Sequence, residues 1–382
     1  VRWLDTALES FGQSLGDSLF DAVWIDILRP FQNRKAVSSH RTPNLKEPLM
    51  SLDQILKPLA DARRVLLNVP VQPIQGHRFQ PTGFPDLGAA IYQAPIKEDE
   101  SLPCLLVESA QSMANRLEAT IWDTGANDLT DAAKGVSYVK VLDDKKEYLT
   151  SSIQEAHRLN SVYIEDADAG KFHKDLTAEM AYDEKKPVNR RKFVEAVFKY
   201  DANALLHGLF LESIGGRLRI ARALSSFVEA EDYEVAASGG VKNDHVQPGK
   251  EEGKGAAEGH GNIPYAREEY TARSITAYFS LDLAQIRGYG LDPAAEQLLI
   301  VLGLYKIRTL LDGDLRLRTA CDFEVTSDEI KAKRPANYTL PSMVELAGVL
   351  KDCIAACTSK QLFAGECGVT TVTYKPGNKP AK

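Results

Sequence analysis

The chain has 382 residues, 44% hydrophobic and 26% charged, with a formal net charge of −7. That balance fits a soluble globular protein with a sizeable core, as one large elaborated domain or two modest ones, and excludes a protein that coats nucleic acid through bulk positive charge. Any nucleic-acid site must therefore be local.

Residues 1–49 read as a separate piece. Phe20 to Leu28 suits a short amphipathic helix, whereas Arg29 to Pro48 is polar, basic and proline-bearing, as a linker is. We expect 1–49 to be an N-terminal extension outside the main fold. Leu52 to Leu59 then leads as a short helix into a strand at Val65 to Val71 that stops at Pro73. The next loop carries Gln72, Gln75, His77, Arg78 and Gln80 on a backbone limited by Pro73, Pro81 and Pro85. Such a loop can hydrogen-bond a polymeric polar ligand, or simply face water. In the helix that follows, Leu106, Ala110, Met113 and Leu117 form one stripe. Glu108, Gln111 and Asn115, with Ser109, Ser112 and Arg116, form the other. A face of amides and hydroxyls suits a partner rich in hydrogen-bonding groups; N-capping and contacts to neighbouring loops are the competing explanation.

Further on, Val136 to Leu142 reads as a strand, Ser152 and Glu155 as the capping box of a helix through Leu159, and Val162 to Ile164 as strand-like. Lys185, Lys186, Arg190, Arg191 and Lys192 place five cations within eight residues, a solvated helix start or an RNA contact. A helix over Arg191 to Lys199 and an apolar strand near Ala204 to Leu211 follow, and Gly215 and Gly216 turn the chain. Leu218 and Ile220 alternate with Arg217, Arg219 and then Arg222, the pattern of a strand with a wet cationic face. Those arginines suit phosphate, or salt bridges to Glu229 or Glu231. From Ala236 to Asn262, seven glycines with Lys242 and His245 predict a long loop with neither Walker nor dinucleotide spacing. Ile275 to Leu283 alternate as a half-buried strand, Asp292 and Pro293 open a helix that Gly313 ends, and Leu315 to Val325 alternate again. A last helix over Pro341 to Cys357 and a strand over Val369 to Tyr374 complete an α+β pattern.

Cys104, Cys321, Cys353, Cys357 and Cys367 form no CxxC pair, so reduced, mostly buried thiols in a cytoplasmic protein are expected, with no metal or cofactor. Leu298 to Tyr305, the longest apolar run, is too short to span a bilayer, and no secretory signal pattern is visible. HExxH and GxSxG are lacking and the histidines are scattered, which argues against an enzyme. The alternative is an endoribonuclease using a loop aspartate, Asp86 or Asp123.

Longer ordered strings are more specific. QPIQGHRFQPTGFPDLGAAIY and VESAQSMANRLE, followed by LLHGLFLESIGGRLRIARALSSFVEA, SGGVKNDHV, GHGNIPYAREEY and AYFSLDLAQIRGYGL, resemble the backbone subunit of type I CRISPR surveillance (Cascade) complexes, subtype I-G, formerly I-U. That family belongs to the RAMP superfamily of RRM-like CRISPR RNA binders, and the resemblance spans roughly Ser51 to Leu291. It implies an RRM-like (ferredoxin-like) antiparallel sheet with helices and large insertions over residues 50–382, the glycine loop at 236–262 serving as a thumb over the guide. It also implies a non-catalytic subunit that polymerises along the CRISPR RNA and presents the guide for pairing with target DNA. Its partners would be copies of itself and other Cascade subunits, without a membrane. The RNA-binding candidates are then Gln75, His77, Arg78, Gln80, Ser109, Gln111, Ser112, Asn115, Arg116, Arg217, Arg219, Arg222, Lys242, His245 and Asn262.

Overall fold

The computed structural model describes residues 50–84, 87–97, 100–216, 218–246 and 261–376. The extension at 1–49, Asp86, Arg217 and the centre of the glycine-rich stretch lie outside the described residues. Ser51 opens α1 (Leu52–Leu56) in a capping box with Gln54, and a single 3-10 turn leads into β1 (Arg64–Pro73). Val65, Leu67, Val69 and Val71 of β1 are buried and the residues between them are not, the period-2 pattern of a strand packed on one face.

The loop after β1 contains β2 (Gly83–Phe84) and β3 (Gly88–Ala89), and the hairpin of β4 (Ile91–Lys97) and β5 (Glu100–Glu108) runs into α2 (Ala110–Ala119). A long insertion follows. It holds β6 (Trp122–Asp123), β7 (Asp128–Leu129), β8 (Tyr138–Leu142), β9 (Tyr148–Ser151), α3 (Val162–Glu165), α4 (Lys171–Glu179), α5 (Arg190–Tyr200), α6 (Ala204–His207), β10 (Leu209–Leu211) and β11 (Leu218–Ile220). The chain then returns through β12 (Leu224–Lys242) and β13 (Ile263–Asp282) and ends with α7 (Leu283–Gly288), α8 (Pro293–Asp312), β14 (Arg316–Arg318), β15 (Cys321–Val325), α9 (Met343–Ser359) and β16 (Val369–Thr373).

Seven strands form one antiparallel sheet in the order β14-β15-β1-β13-β12-β5-β4. Within it β1, α2, β12, β13, α8 and β15 succeed one another as strand, helix, strand, strand, helix, strand. Their sheet order is fourth, first, third, second, the ferredoxin-like arrangement of RRM-like folds. The apolar sides of α2 and α8, including Met113, Leu117, Leu298 and Leu302, are buried in one core with Leu67 and Phe279 of the sheet. Helix α8 comes so close to β13 that a Cβ on Gly303 would fall 2.9 Å from Leu281 Cδ1. Asp292 caps α8 with Pro293 in its first turn, and Ser342 with Glu345 forms the capping box of α9.

Four local expectations give way. Ser152 Oγ accepts from Val139 N at 3.1 Å, and Glu155 accepts from the Thr150 and Ser161 hydroxyls at 2.7 Å each, so this pair ties strands and turns together and caps no helix. Ser161 caps α3 instead, so Val162 to Ile164 is helical. Ala204 to His207 is also helical, and only Leu209 to Leu211 is strand. Finally, β12 runs through Lys242 and pairs in register down to Lys242 with Ile263, so residues 236–242 are strand and not loop. Small residues allow the tight pairing there: a Cβ on Gly239 would lie 2.7 Å from Tyr265 O. Beyond the core the two strands continue as a mostly exposed two-stranded arm.

Candidate nucleic-acid interface

The loop after β1 is pinned at three places. Ile74 N donates to Asp322 O at 3.1 Å, Phe79 exchanges two 2.9 Å backbone hydrogen bonds with Tyr270, and Gln80 N donates to Ala320 O at 2.8 Å. Phe79 is buried edge-on against Phe323. So anchored, the loop exposes Gln75, His77 and Arg78 around an open cavity of about 690 Å³ that Glu269, Asp314 and Arg316 also line. Gln80 is half-buried, and its carbonyl accepts from Arg318 at 2.9 Å.

Most cations here already have a carboxylate. Arg78 lies 3.5 Å from Glu269, which also binds Arg267, and Arg316 faces Asp322 at 3.6 Å. Glu108 is fully buried at the end of β5, not on the wet face of the helix, and it draws in both Arg318 and Arg116. Arg116 consequently turns inward, bonding Glu108 at 3.2 Å, Arg316 O at 3.2 Å and Leu317 O. A buried carboxylate demands such partners, and helical spacing cannot reveal one supplied by a preceding strand.

The start of α2 borders a second surface. Ser109 is the N-cap, accepting from Ser112 N at 3.3 Å, so part of the hydroxyl-rich face terminates the helix, while Gln111 and Asn115 stay exposed. The β10–β11 hairpin sets the exposed Arg219 with its guanidinium carbon 4.0 Å from the ring centre of Phe210. Arg222 spans to α2, donating to Ala110 O at 3.2 Å, to Gln111 Oε1, and to His207 O at 3.3 Å. All three acceptors are neutral. Glu229 accepts from Tyr92 and Glu231 from Ser274, and among the described residues neither pairs with Arg219 or Arg222. Among the described residues neither Arg219 nor Arg222 has a carboxylate within ion-pair distance, and both line an open cavity of about 590 Å³ with Arg158, Asn160, Phe210 and Glu212. Burial pulls the Arg222 pKa below the ordinary arginine value.

Beneath that cavity lies a buried polar network. Arg158 grips Glu118 through two 2.8 Å bonds, Asn203 donates to Glu118 at 2.9 Å, and Lys306 of α8 donates to Asn203 Oδ1 and approaches His207 Nε2 at 3.0 Å. Burial lowers the Lys306 ammonium to about 7, drives His207 well below its usual range, and raises nearby Asp201 to about 6. These groups join the insertion to α2 and α8.

On the arm, Lys242 and His245 are exposed, whereas Asn262 Oδ1 accepts from Asp244 N at 2.8 Å and helps tie the strand ends. Tyr265, Arg267 and Glu269 recur at every second residue, and Tyr265 lies over Gly240 of the partner strand. By register the opposite side carries Val235, Ala237, Val241, Pro264 and Ala266 together with the exposed Glu268, with Val235 and Val241 each 55% exposed. Phe210, Tyr265, Arg267 and Glu269 are not among the sequence candidates. The alternation within YAREEY is the signal that could have found the last three.

Residues 65–235 match the family model described as CRISPR-associated protein GSU0053. Over that stretch the chain is similar to a CRISPR-associated family. A chain of a solved structure titled "CRISPR RNA-guided surveillance complex, pre-nicking" is 13% identical, covering 70% of this chain and 75% of its own, with a TM-score of 0.35. No curated protein matches.

The open side of the RRM-like sheet is acidic. Phe227 and Tyr278 stack on each other with centroids 4.9 Å apart, and Glu229 and Glu231 follow Phe227 at alternate positions of β12. Carboxylates there oppose a phosphate backbone, which favours the two cavities and the arm. The carboxylate of Asp123 accepts from Gly125 N at 2.8 Å and Ala126 N at 3.1 Å, the work of a turn residue. Among the described residues, no group of three or more His, Cys, Asp or Glu side chains is placed to hold a metal ion, and no helix is long and apolar enough to cross a membrane. All five cysteines are free and only Cys367 is exposed.

Proposed function

We propose that this chain is a non-catalytic RNA-binding subunit of a type I Cascade effector, of subtype I-G, that polymerises along the guide and presents it to target DNA. The observation that carries the reading is the Arg219–Arg222 cavity. Two guanidinium groups without carboxylate partners sit beside a half-buried phenyl ring and the exposed amide of Gln111, the chemistry of a site for phosphate and unpaired bases. The arm adds a side bearing Tyr265, Arg267 and Lys242 for RNA and a side bearing Val235 and Val241 for a neighbouring copy. The turn held by Asp123 supports a non-catalytic role.

The test is co-expression with a CRISPR array and the partner subunits. A multimer containing one protected RNA of defined length is expected. Purification as an RNA-free monomer, or cleavage of paired RNA that disappears with Asp123→Ala, would overturn the proposal.

A further inference from the structure

Glu269 is 4% exposed and sits on β13 next to Tyr270, whose backbone pairs with Phe79. Its two carboxylate oxygens are divided between two arginines from different parts of the chain. Oε2 faces Arg78 of the loop at 3.5 Å, and Oε1 accepts from Arg267 of the arm. Both arginines keep a large exposed fraction, 55% and 37% of their side chains. Arg78 lines the cavity of about 690 Å³ that Glu269 also lines, and Arg267 lines another of about 640 Å³ with Glu268 and Tyr270.

The pairing leaves a local charge of +1. A guanidinium has five N–H donors in a fixed plane, so one bond to a buried anchor still leaves donors for a second acceptor and restricts the direction in which they point. An exposed arginine without an anchor loses side-chain entropy when it binds, and that cost is lower for a fork already held.

We propose that Glu269 is a positioning residue: a buried carboxylate that aims Arg78 and Arg267 at successive parts of a single-stranded RNA backbone. The proposal rests on the RNA-binding reading above and adds to it a residue whose own charge repels the ligand. That opposition gives the test its sign. If the surface worked by net charge alone, Glu269→Gln would bind RNA more tightly. If Glu269 positions the arginines, the same change weakens binding although the protein has become more positive.

The experiment titrates a labelled single-stranded RNA with the full chain, as wild type, Glu269→Gln, Arg78→Gln/Arg267→Gln and the triple variant, over a range of KCl concentrations. Glu269→Gln is expected to bind about three- to tenfold more weakly, with a salt slope shallower by about 0.7 for each phosphate no longer neutralised. In the background lacking both arginines it should cause no further weakening. Glu269→Asp keeps the charge but withdraws the carboxylate, so it should weaken binding too, and it serves where Glu269→Gln does not fold. Equal or tighter binding by these variants, or a weakening of the same size without the two arginines, would overturn the inference and leave the RNA-binding reading intact. No RNA binding by the wild type would overturn both.

Discussion

Arg219 and Arg222 line the same cavity, yet their truncations should have opposite consequences for folding. Arg219 is exposed, and its guanidinium lies over the Phe210 ring; an exposed cation–π contact contributes about 0.5–1 kcal/mol, so Arg219→Ala should leave stability nearly unchanged. Arg222 donates to His207 O, Ala110 O and Gln111 Oε1 and thereby couples the end of the insertion to α2. With each such bond contributing on the order of 1 kcal/mol, Arg222→Ala should cost about 2–3 kcal/mol. On RNA the two should look alike. Each phosphate contact removed lowers affinity and reduces the slope of log K against log salt by about 0.7 for a single strand. Fluorescence anisotropy with a labelled RNA at several salt concentrations measures the second effect, and urea unfolding of the same preparations measures the first. Unchanged affinity and slope for Arg219→Ala, or a drop in stability as large as that of Arg222→Ala, would refute the reasoning.

The buried network predicts two opposing pH trends. Lys306 is depressed to about 7 in the folded state, so its contribution to stability is present at high pH and lost as pH falls through 7; the protein should gain about 2 kcal/mol between pH 7 and 9, a gain absent from Lys306→Met in urea titrations at the two pH values. Asp201 is raised to about 6, so its contribution is present below its unfolded value and lost as pH rises through 6, a slope that Asp201→Asn should remove. Glu108→Ala leaves Arg116 and Arg318 facing each other without their carboxylate and should destabilise the fold by about 3 kcal/mol, read by the same unfolding assay. Val235→Asp with Val241→Asp, both on the exposed apolar side of the arm, should leave unfolding unchanged but reduce assembly of multimers on light scattering in the presence of guide RNA.

Much of the fold is legible in residue order because it rests on local signals. The alternation in β1 and β13 and the Asp292–Pro293 opening of α8 each act within a few residues, and all appear where spacing places them. The errors have a common origin. Ser152 and Glu155 have capping spacing, but their partners, Val139, Thr150 and Ser161, come from strands and turns that only the tertiary fold brings near. Glycine content predicts a loop from Ala236 onward because composition cannot show that a facing strand supplies the hydrogen bonds of residues 236–242. The site follows the same division. Arg78 and Arg219 are exposed as expected, whereas Arg116 is claimed by Glu108, and Asn262 helps tie the ends of the arm.

An acidic chain can still hold a polyanion if its carboxylates are already engaged and its cations are not all matched. At −7 overall, long-range repulsion opposes RNA, so binding would have to come from short-range contacts. The distribution of ion pairs suits that requirement. Glu108 and Glu269 are buried, and each serves two arginines, so each trio carries a net charge of +1 within a chain of −7 overall. Arg219 and Arg222 add two more whose ring and hydrogen-bond partners among the described residues are neutral. Meanwhile Glu229 and Glu231 keep the open side of the sheet acidic, which would turn an RNA away from the surface that RRM-like proteins commonly use and toward the loop, the α2 cavity and the arm. Such a surface should be more selective for a strand held in one path than a uniformly basic one, because a polyanion displaced from those points meets repulsion at once.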